Sequence, residues 1–219
     1  TRIVEVHNGS SLFTGKAGGG ESNLRKYIIE NDLLEAIIQM PDNDFYNTKI
    51  ATYIWIVTNR KEQRRKGKVQ LIDASSLKTP LDKHLGKKNC TTSDTNRQQI
   101  VDLLQKFENN DYSVILNNSE FAYWDVEISH PVKDENGQLI KVKGKVKYSK
   151  DKYSLQVPYN YPDGVDGFFS SEVLPNDSEA VLGKATLGYE IRFANYFSRK
   201  HDVKETKDLQ GKLLSMQHN

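Results

Sequence analysis

Residues 33–58, LLEAIIQMPDNDFYNTKIATYIWIVT, hold two apolar segments around one polar loop. The first, 33–40, is a continuous apolar run of strand length, the pattern of a strand covered on both faces, and Pro41 stops it. The second, 50–58, is β-branched and aromatic, which suits a pleated strand. Upstream, 21–31 sets Leu24, Tyr27 and Ile28 on one helical face, and 8–20 (NGSSLFTGKAGGG) is a Gly- and Ser-rich loop. Residues 2–7 (RIVEVH) alternate like a half-buried strand. Downstream, 60–68 (RKEQRRKGK) is a charged turn and 69–74 (VQLIDA) a further strand. Strand, helix and buried strands in this order predict one end of an α/β sheet with late antiparallel strands.

The middle of the chain differs. Residues 95–107 place Ile100, Leu103, Leu104 and Phe107 on one helical face, with Ser93 or Asp94 as the cap. Residues 139–148 (LIKVKGKVKY) alternate strictly, so a continuous strand would carry Lys141, Lys143, Lys145 and Lys147 on one face. Residues 164–174 and 189–197 read as short helical pieces joined by loops. The break between sheet and appendage is expected near 75–95. The division adopted is 1–80 for the sheet and 81–219 for a mixed α+β C-terminal extension.

Composition bounds the function. The 219 residues include 31 Lys+Arg and 29 Asp+Glu, a net charge of +2, which excludes a globally basic coat for nucleic acid but not local basic patches. With 27% charged and 37% hydrophobic residues the chain reads as an ordinary soluble globular protein. The longest apolar run, 50–57, is far too short to cross a bilayer, and residues 1–7 do not read as a signal peptide. One cysteine, Cys90, excludes a disulfide framework and a Cys-rich zinc site, and fits a reducing cytoplasm. His7, His84, His130, His201 and His218 lack metal-ligand spacing, and Cys90 has only His84 nearby. Gly15 to Gly20 (GKAGGG) precedes a helix but is neither a P-loop nor a dinucleotide fingerprint, so a flexible connection is the plainer reading.

Two kinds of stretch carry chemistry. In the loop 42–48 (DNDFYNT) Phe45 and Tyr46 offer planar faces to a base, and the neighbouring amides and carboxylates suit a base edge; loop anchors packed back on the core are the plainer alternative. Residues 60–68 and 141–152 each hold six Lys or Arg against one acidic residue, suited to phosphates or simply to solvent. Lys49, Arg60, Lys61, Arg64 and Arg65 are the candidate DNA contacts.

Residues 8–76, together with NSEFAYWDVEISHPV (118–132), SSEVLPNDSEAVL (170–182) and LGYEIRFANYFSRK (187–200), closely resemble the modification (M) subunit of type I restriction-modification systems, which are adenine-N6 DNA methyltransferases. The resemblance covers nearly the whole chain. Ile128-Ser129-His130-Pro131 stands where the family carries a V-E-R-P-like turn, and 188–197 is close to its terminal G-Y-E-I-x-F-x-x-Y-F signature. The resemblance implies the C-terminal part of a Rossmann-like methyltransferase sheet, with S-adenosylmethionine as cofactor and adenine in DNA as substrate. The family's donor-binding glycine loop is missing, and its Asn-Pro-Pro-Phe/Tyr clamp cannot be here, because no Asn-Pro pair occurs in the chain. By family order both precede Thr1, so no catalytic residue is expected in this chain and it is expected to be inactive alone. The family motif after the sixth strand falls on 44–48, making Phe45 the first candidate for stacking on a flipped adenine and Tyr46 the second. The implied partners are the specificity (S) subunit, DNA and the restriction (R) subunit, in a prokaryotic cytoplasm and away from membranes. Residues 206–217, with Leu209, Leu213 and Met216 at helical spacing, suit docking on the S subunit or packing on their own domain. The alternative is a free-standing, non-catalytic module that binds the S subunit or DNA.

Overall fold

The computed structural model describes residues 1–46 and 49–197. Strand β1 (Arg2–Asn8) leads through the short helix α1 (Ser10–Phe13) into α2 (Gly20–Glu30), then β2 (Leu34–Gln39), β3 (Thr52–Thr58) and β4 (Lys68–Asp73). The hairpin β5 (Thr79–Leu85) and β6 (Lys88–Thr91) follows, then α3 (Asp94–Lys106) and β7 (Ser113–Asn117). The first sheet has five strands in the order β1-β3-β2-β4-β7. Within this sheet only β2 and β4 pair in parallel; β3 and β7 lie antiparallel to them, as the late-strand expectation required. Because β7 closes this sheet, the sheet draws on residues from both sides of position 80.

Sidedness explains these strands. Leu34 through Ile38 of β2 are all buried, because α2 covers one face and α3 the other. Ser93 caps α3 through a capping box with Asn96, and Ile100, Leu103 and Leu104 pack on Ile38, Ile56 and Ile72. Two expectations change. Strand β1 is exposed along its whole length rather than half-buried, since it forms the sheet's edge. Helix α2 buries Ser22, Arg25 and Ile29, while Leu24 and Tyr27 are exposed. The cause is polar: Ser22 Oγ accepts from the Tyr189 N–H at 3.0 Å, and Arg25 Nε donates to the Tyr189 carbonyl at 2.7 Å.

Helical pieces fall within 164–174 and 189–197 as expected, but the second half also contains strands that the sequence reading did not foresee. β8 (Ala122–Ser129) is followed by a small ribbon, β9 (Lys141–Val142) and β10 (Lys145–Val146), and then by β11 (Tyr153–Pro158). Helix α4 (Gly164–Phe168) runs into a wide turn, Phe169–Val173, before β12 (Val181–Tyr189) and α5 (Phe193–Phe197). The order β11-β8-β12 makes an antiparallel three-stranded sheet, closed by Val173 and Ala180 over Val126, Ile128 and Val157. Phe121, Ala122, Tyr189, Ile191 and Phe193 belong instead to the core under α2, so the two sheets share buried surface. The expected helix at 206–217 lies outside the described residues. No helix among the described residues is long and apolar enough to cross a membrane.

Candidate functional site

Pro41, buried, ends β2 and turns the chain into the loop that carries Phe45 and Tyr46. The loop leaves the carboxyl end of a strand with a parallel neighbour, the usual place for ligands in open α/β sheets. Asn43 takes φ 62°, a left-handed conformation that asparagine tolerates. The β5–β6 hairpin braces the loop through its backbone: Asn89 N–H donates to the Asn43 carbonyl at 3.2 Å and Lys87 N–H to the Tyr46 carbonyl at 3.1 Å. At the hairpin tip Gly86 has φ +64°, and a Cβ there would stand 3.2 Å from the same Tyr46 oxygen.

Asp44 is the pin. Its carboxylate accepts from Lys88 Nζ at 2.8 Å and from Thr92 Oγ1 at 2.7 Å, and both members of the ion pair are nearly buried. Burial alone would raise this carboxyl, but the bonds from Lys88 and Thr92 outweigh it and hold it below the usual range. The Cys90 thiol donates to the Asp42 carbonyl at 3.2 Å, and burial together with the Asp44 charge pushes the thiol up. Cys90 is therefore a protonated structural group, unsuited to nucleophilic work. With its polar atoms tied down, the loop leaves Phe45 41% and Tyr46 60% exposed, and the Lys88 ammonium lies 5.8 Å from the Tyr46 ring centre. These aromatics are presented to solvent; they do not pack back on the core.

The candidate cations do not form one surface. Lys49 is exposed beside the loop. Arg60, Lys61, Arg64 and Arg65 lie past the other end of β3, a strand about 20 Å long at roughly 3.4 Å per residue. Of these, Lys61 is only 2% exposed and pairs with Asp32 at 2.5 Å, while Asp32 also accepts from Gly67 N–H and Asn118 Nδ2. Arg65 is buried: it donates to Gln70 Oε1 at 3.1 Å and to the Leu104 carbonyl, approaches Glu35 at 3.6 Å, and stacks 4.3 Å over the Phe107 ring. Lys61 and Arg65 thus hold the turn to the core and have no charge to spare for a phosphate, contrary to their place among the expected contacts. Arg64 is half exposed, yet donates to the Gln105 carbonyl at 2.7 Å at the end of α3. Arg60 stays on the surface.

The Gly15 to Gly20 turn does not fit a cofactor cradle. A Cβ on Gly15 would lie 2.7 Å from the Glu21 carboxylate, and one on Gly18 would lie 3.1 Å from the Thr186 methyl, so the chain's own groups fill the space. Glycine serves close packing against β12 here. Among the described residues no group of three or more His, Cys, Asp or Glu is placed to hold a metal ion. An open cleft of ≈ 490 Å³ lies between β1 and α2, where the His7 and Trp55 rings meet edge-on at 5.9 Å and Leu24 and Ile28 form the opposite wall. Sequence pattern gives no sign of this cleft, because its walls come from four separate elements, β1, α1, α2 and β3.

The family described as N-6 DNA Methylase matches residues 2–138. The chain is 36% identical over 108 residues to the type I restriction enzyme MjaVII methylase subunit of Methanocaldococcus jannaschii, covering 49% of this chain and 18% of the relative. It is 35% identical over 91 residues to the HindI methylase subunit of Haemophilus influenzae, covering 42% and 19%. Among solved structures, the type I methyltransferase subunit from Streptococcus thermophilus aligns with a TM-score of 0.46 at 26% identity, over 55% of this chain and 23% of that one. The chain thus spans under a fifth of the length of these curated relatives. With the family's match running through the whole first sheet and its braced loop, the chain belongs to the N-6 DNA methylase family.

Proposed function

We propose that this chain is the C-terminal part of the modification subunit of a type I restriction-modification enzyme. The whole protein transfers a methyl group from S-adenosylmethionine to adenine N6 in DNA, alongside a specificity subunit that reads the sequence and, in the full assembly, a restriction subunit. The observation that carries this reading is the braced loop: Asp44 is bonded to Lys88 and Thr92 while Phe45 and Tyr46 face outward at the carboxyl end of β2. An enzyme acting on a base inside a duplex must take it out of the stack, and an exposed, pre-positioned ring is the surface on which such a base rests. Phe45 is the first candidate and Tyr46 the second, with Lys49 at the flank and Arg60 as a more distant phosphate contact. S-adenosylmethionine supplies the methyl group when bound by the whole protein. The residues of this chain position the base and transfer no methyl group by themselves.

The test uses the full reading frame that contains this chain, with its specificity subunit, a cognate duplex and tritiated S-adenosylmethionine. Base stacking on an aromatic ring contributes about 1–3 kcal/mol, so Phe45→Ala is expected to slow methyl transfer by roughly 5- to 150-fold. The KM for the donor is expected to stay put. Wild-type rates in both Phe45→Ala and Tyr46→Ala would remove the loop from the base pocket. A free-standing binding module is the second reading, and it predicts sustained binding to the specificity subunit or DNA with no turnover in any assembly.

A further inference from the structure

The lysine-rich stretch after β8 does not form the single cationic strand face that its alternation suggests. Lys143 and Gly144 take φ 52° and 77°, a two-residue turn with both central residues left-handed, and fold the stretch back into the ribbon β9–β10. Directly paired residues share a face, so Lys145 joins Val142 on one side and Lys141 joins Val146 on the other. Lys147, two residues beyond Lys145, extends the first side, and Lys143 occupies the tip. All four lysines are exposed, and none makes an ion pair among the described residues.

The arm is built rather than loose. Its base is a closed triangle of backbone bonds: Val132 N–H to the Lys147 carbonyl, Lys147 N–H to the Ile140 carbonyl and Ile140 N–H to the Val132 carbonyl, at 2.8, 2.8 and 2.9 Å. Two side-chain ties fasten that base to the loop before β12: His130 Nε2 lies 2.7 Å from Asp177 Oδ2, and Lys133 lies 2.5 Å from Glu179. A lysine at the first turn position is also a local misfit, since Asn, Asp and Gly fit a left-handed residue there. Strain of this kind is retained where the side chain has work to do.

We propose that this ribbon is a prong that enters the major groove of B-form DNA, with its lysines meeting phosphates on both walls. A cationic face meeting a flat acidic protein would carry its charges on one side; cations on both sides and at the tip match a slot walled by anions. The major groove is about 12 Å wide and admits a two-stranded ribbon, whereas the corresponding groove of A-form RNA is deep and narrow. The ribbon lies beyond residue 138, where the family match ends. The inference rests on the DNA-modification reading for its partner, but its test reads binding and not methyl transfer, so either can fail alone.

The experiment is fluorescence anisotropy of the 219-residue chain with a short mixed-sequence DNA duplex across a salt series, with an RNA duplex and heparin as competitors. Changing Lys141, Lys143, Lys145 and Lys147 together to Gln is expected to weaken DNA binding at least tenfold at low salt. It should flatten the log–log salt slope by about 3.6, since each phosphate that a lysine neutralises contributes about 0.9 to that slope. Lys143→Asn separates charge from folding: the thermal midpoint should hold or rise while DNA affinity falls severalfold. Wild-type affinity and slope in the fourfold variant would overturn the proposal, as would failure of the parent chain to bind DNA. Equal affinity for the RNA duplex would overturn the groove assignment.

Discussion

Asp44 shows how one carboxylate positions two aromatic side chains that it does not touch. Its bonds to Lys88 and Thr92 hold the loop on the β5–β6 hairpin, and Phe45 and Tyr46 then have nowhere to go but outward. Its pKa is depressed in the folded protein, so its contribution to stability is present above the unfolded value near 4 and is lost as pH falls through the folded one. Asp44→Asn is expected to lower stability at neutral pH by about 1–3 kcal/mol, the range for a hydrogen bond to a charged group and the loss of its partner. In urea titrations the gap between variant and parent should close as pH drops through the depressed folded value; a gap that stays constant with pH would show that the carboxylate charge is not what pins the loop. That Phe45 and Tyr46 sit in a loop between two strands was legible in their neighbours, a proline-stopped buried run and a β-branched strand; their exposure came from the fold. Which cations of 60–68 face water was not legible. Lys61 and Arg65 are claimed by Asp32, Glu35 and Gln70, acceptors that no local spacing connects to them except through the fold.

At the scale of the element, amphipathic spacing succeeded where the partner is apolar and failed where it is polar. Helix α3 buries the Ile100, Leu103 and Leu104 face that its pattern picked out. Helix α2 does the reverse, because Arg25 reaches three carbonyls, those of Tyr189, Ser11 and Thr14, and Ser22 meets the β12 backbone. Strand β12 itself was hidden by its glycines, which lower strand propensity but answer to close neighbours. A Cβ at Gly188 would fall 2.5 Å from Tyr123 Cζ, on the paired residue of β8, and one at Gly183 would fall 2.8 Å from the Glu127 carbonyl at the ladder's irregularity. Gly188→Ala is therefore expected to destabilise the protein by about 1–3 kcal/mol, the range for overpacking a filled site. Thermal unfolding followed by near-ultraviolet circular dichroism would register it, and an unchanged midpoint would mean that the Tyr123 ring moves aside freely.

For the whole molecule, the governing feature is the outer edge of the first sheet. Among the described residues strand β1 has a neighbour on one side only, and Ile3, Val4 and Val6 are 51%, 60% and 53% exposed. An open edge with apolar side chains is a template for further pairing. The 219-residue chain is therefore expected to self-associate, and Val4→Lys with Val6→Lys should shift its light-scattering mass toward the 25.0 kDa monomer. A parent chain that is already monodisperse and monomeric would count against it. Sequence alone determined the strands and the longer helix between Arg2 and Asp73 (though not α1), the stop at Pro41, a cap at Ser93 or Asp94 and the family resemblance. These follow from short-range chemistry: side-chain alternation, proline geometry and capping are settled within a few residues. Tertiary structure alone decided that β1 is an edge, that Lys61 and Arg65 turn inward, and that the lysines of 141–147 point to both sides of a ribbon. Each of those depends on which distant backbone or carboxylate arrives beside the residue, and on whether a chain reverses at two adjacent left-handed positions, which local pattern leaves open.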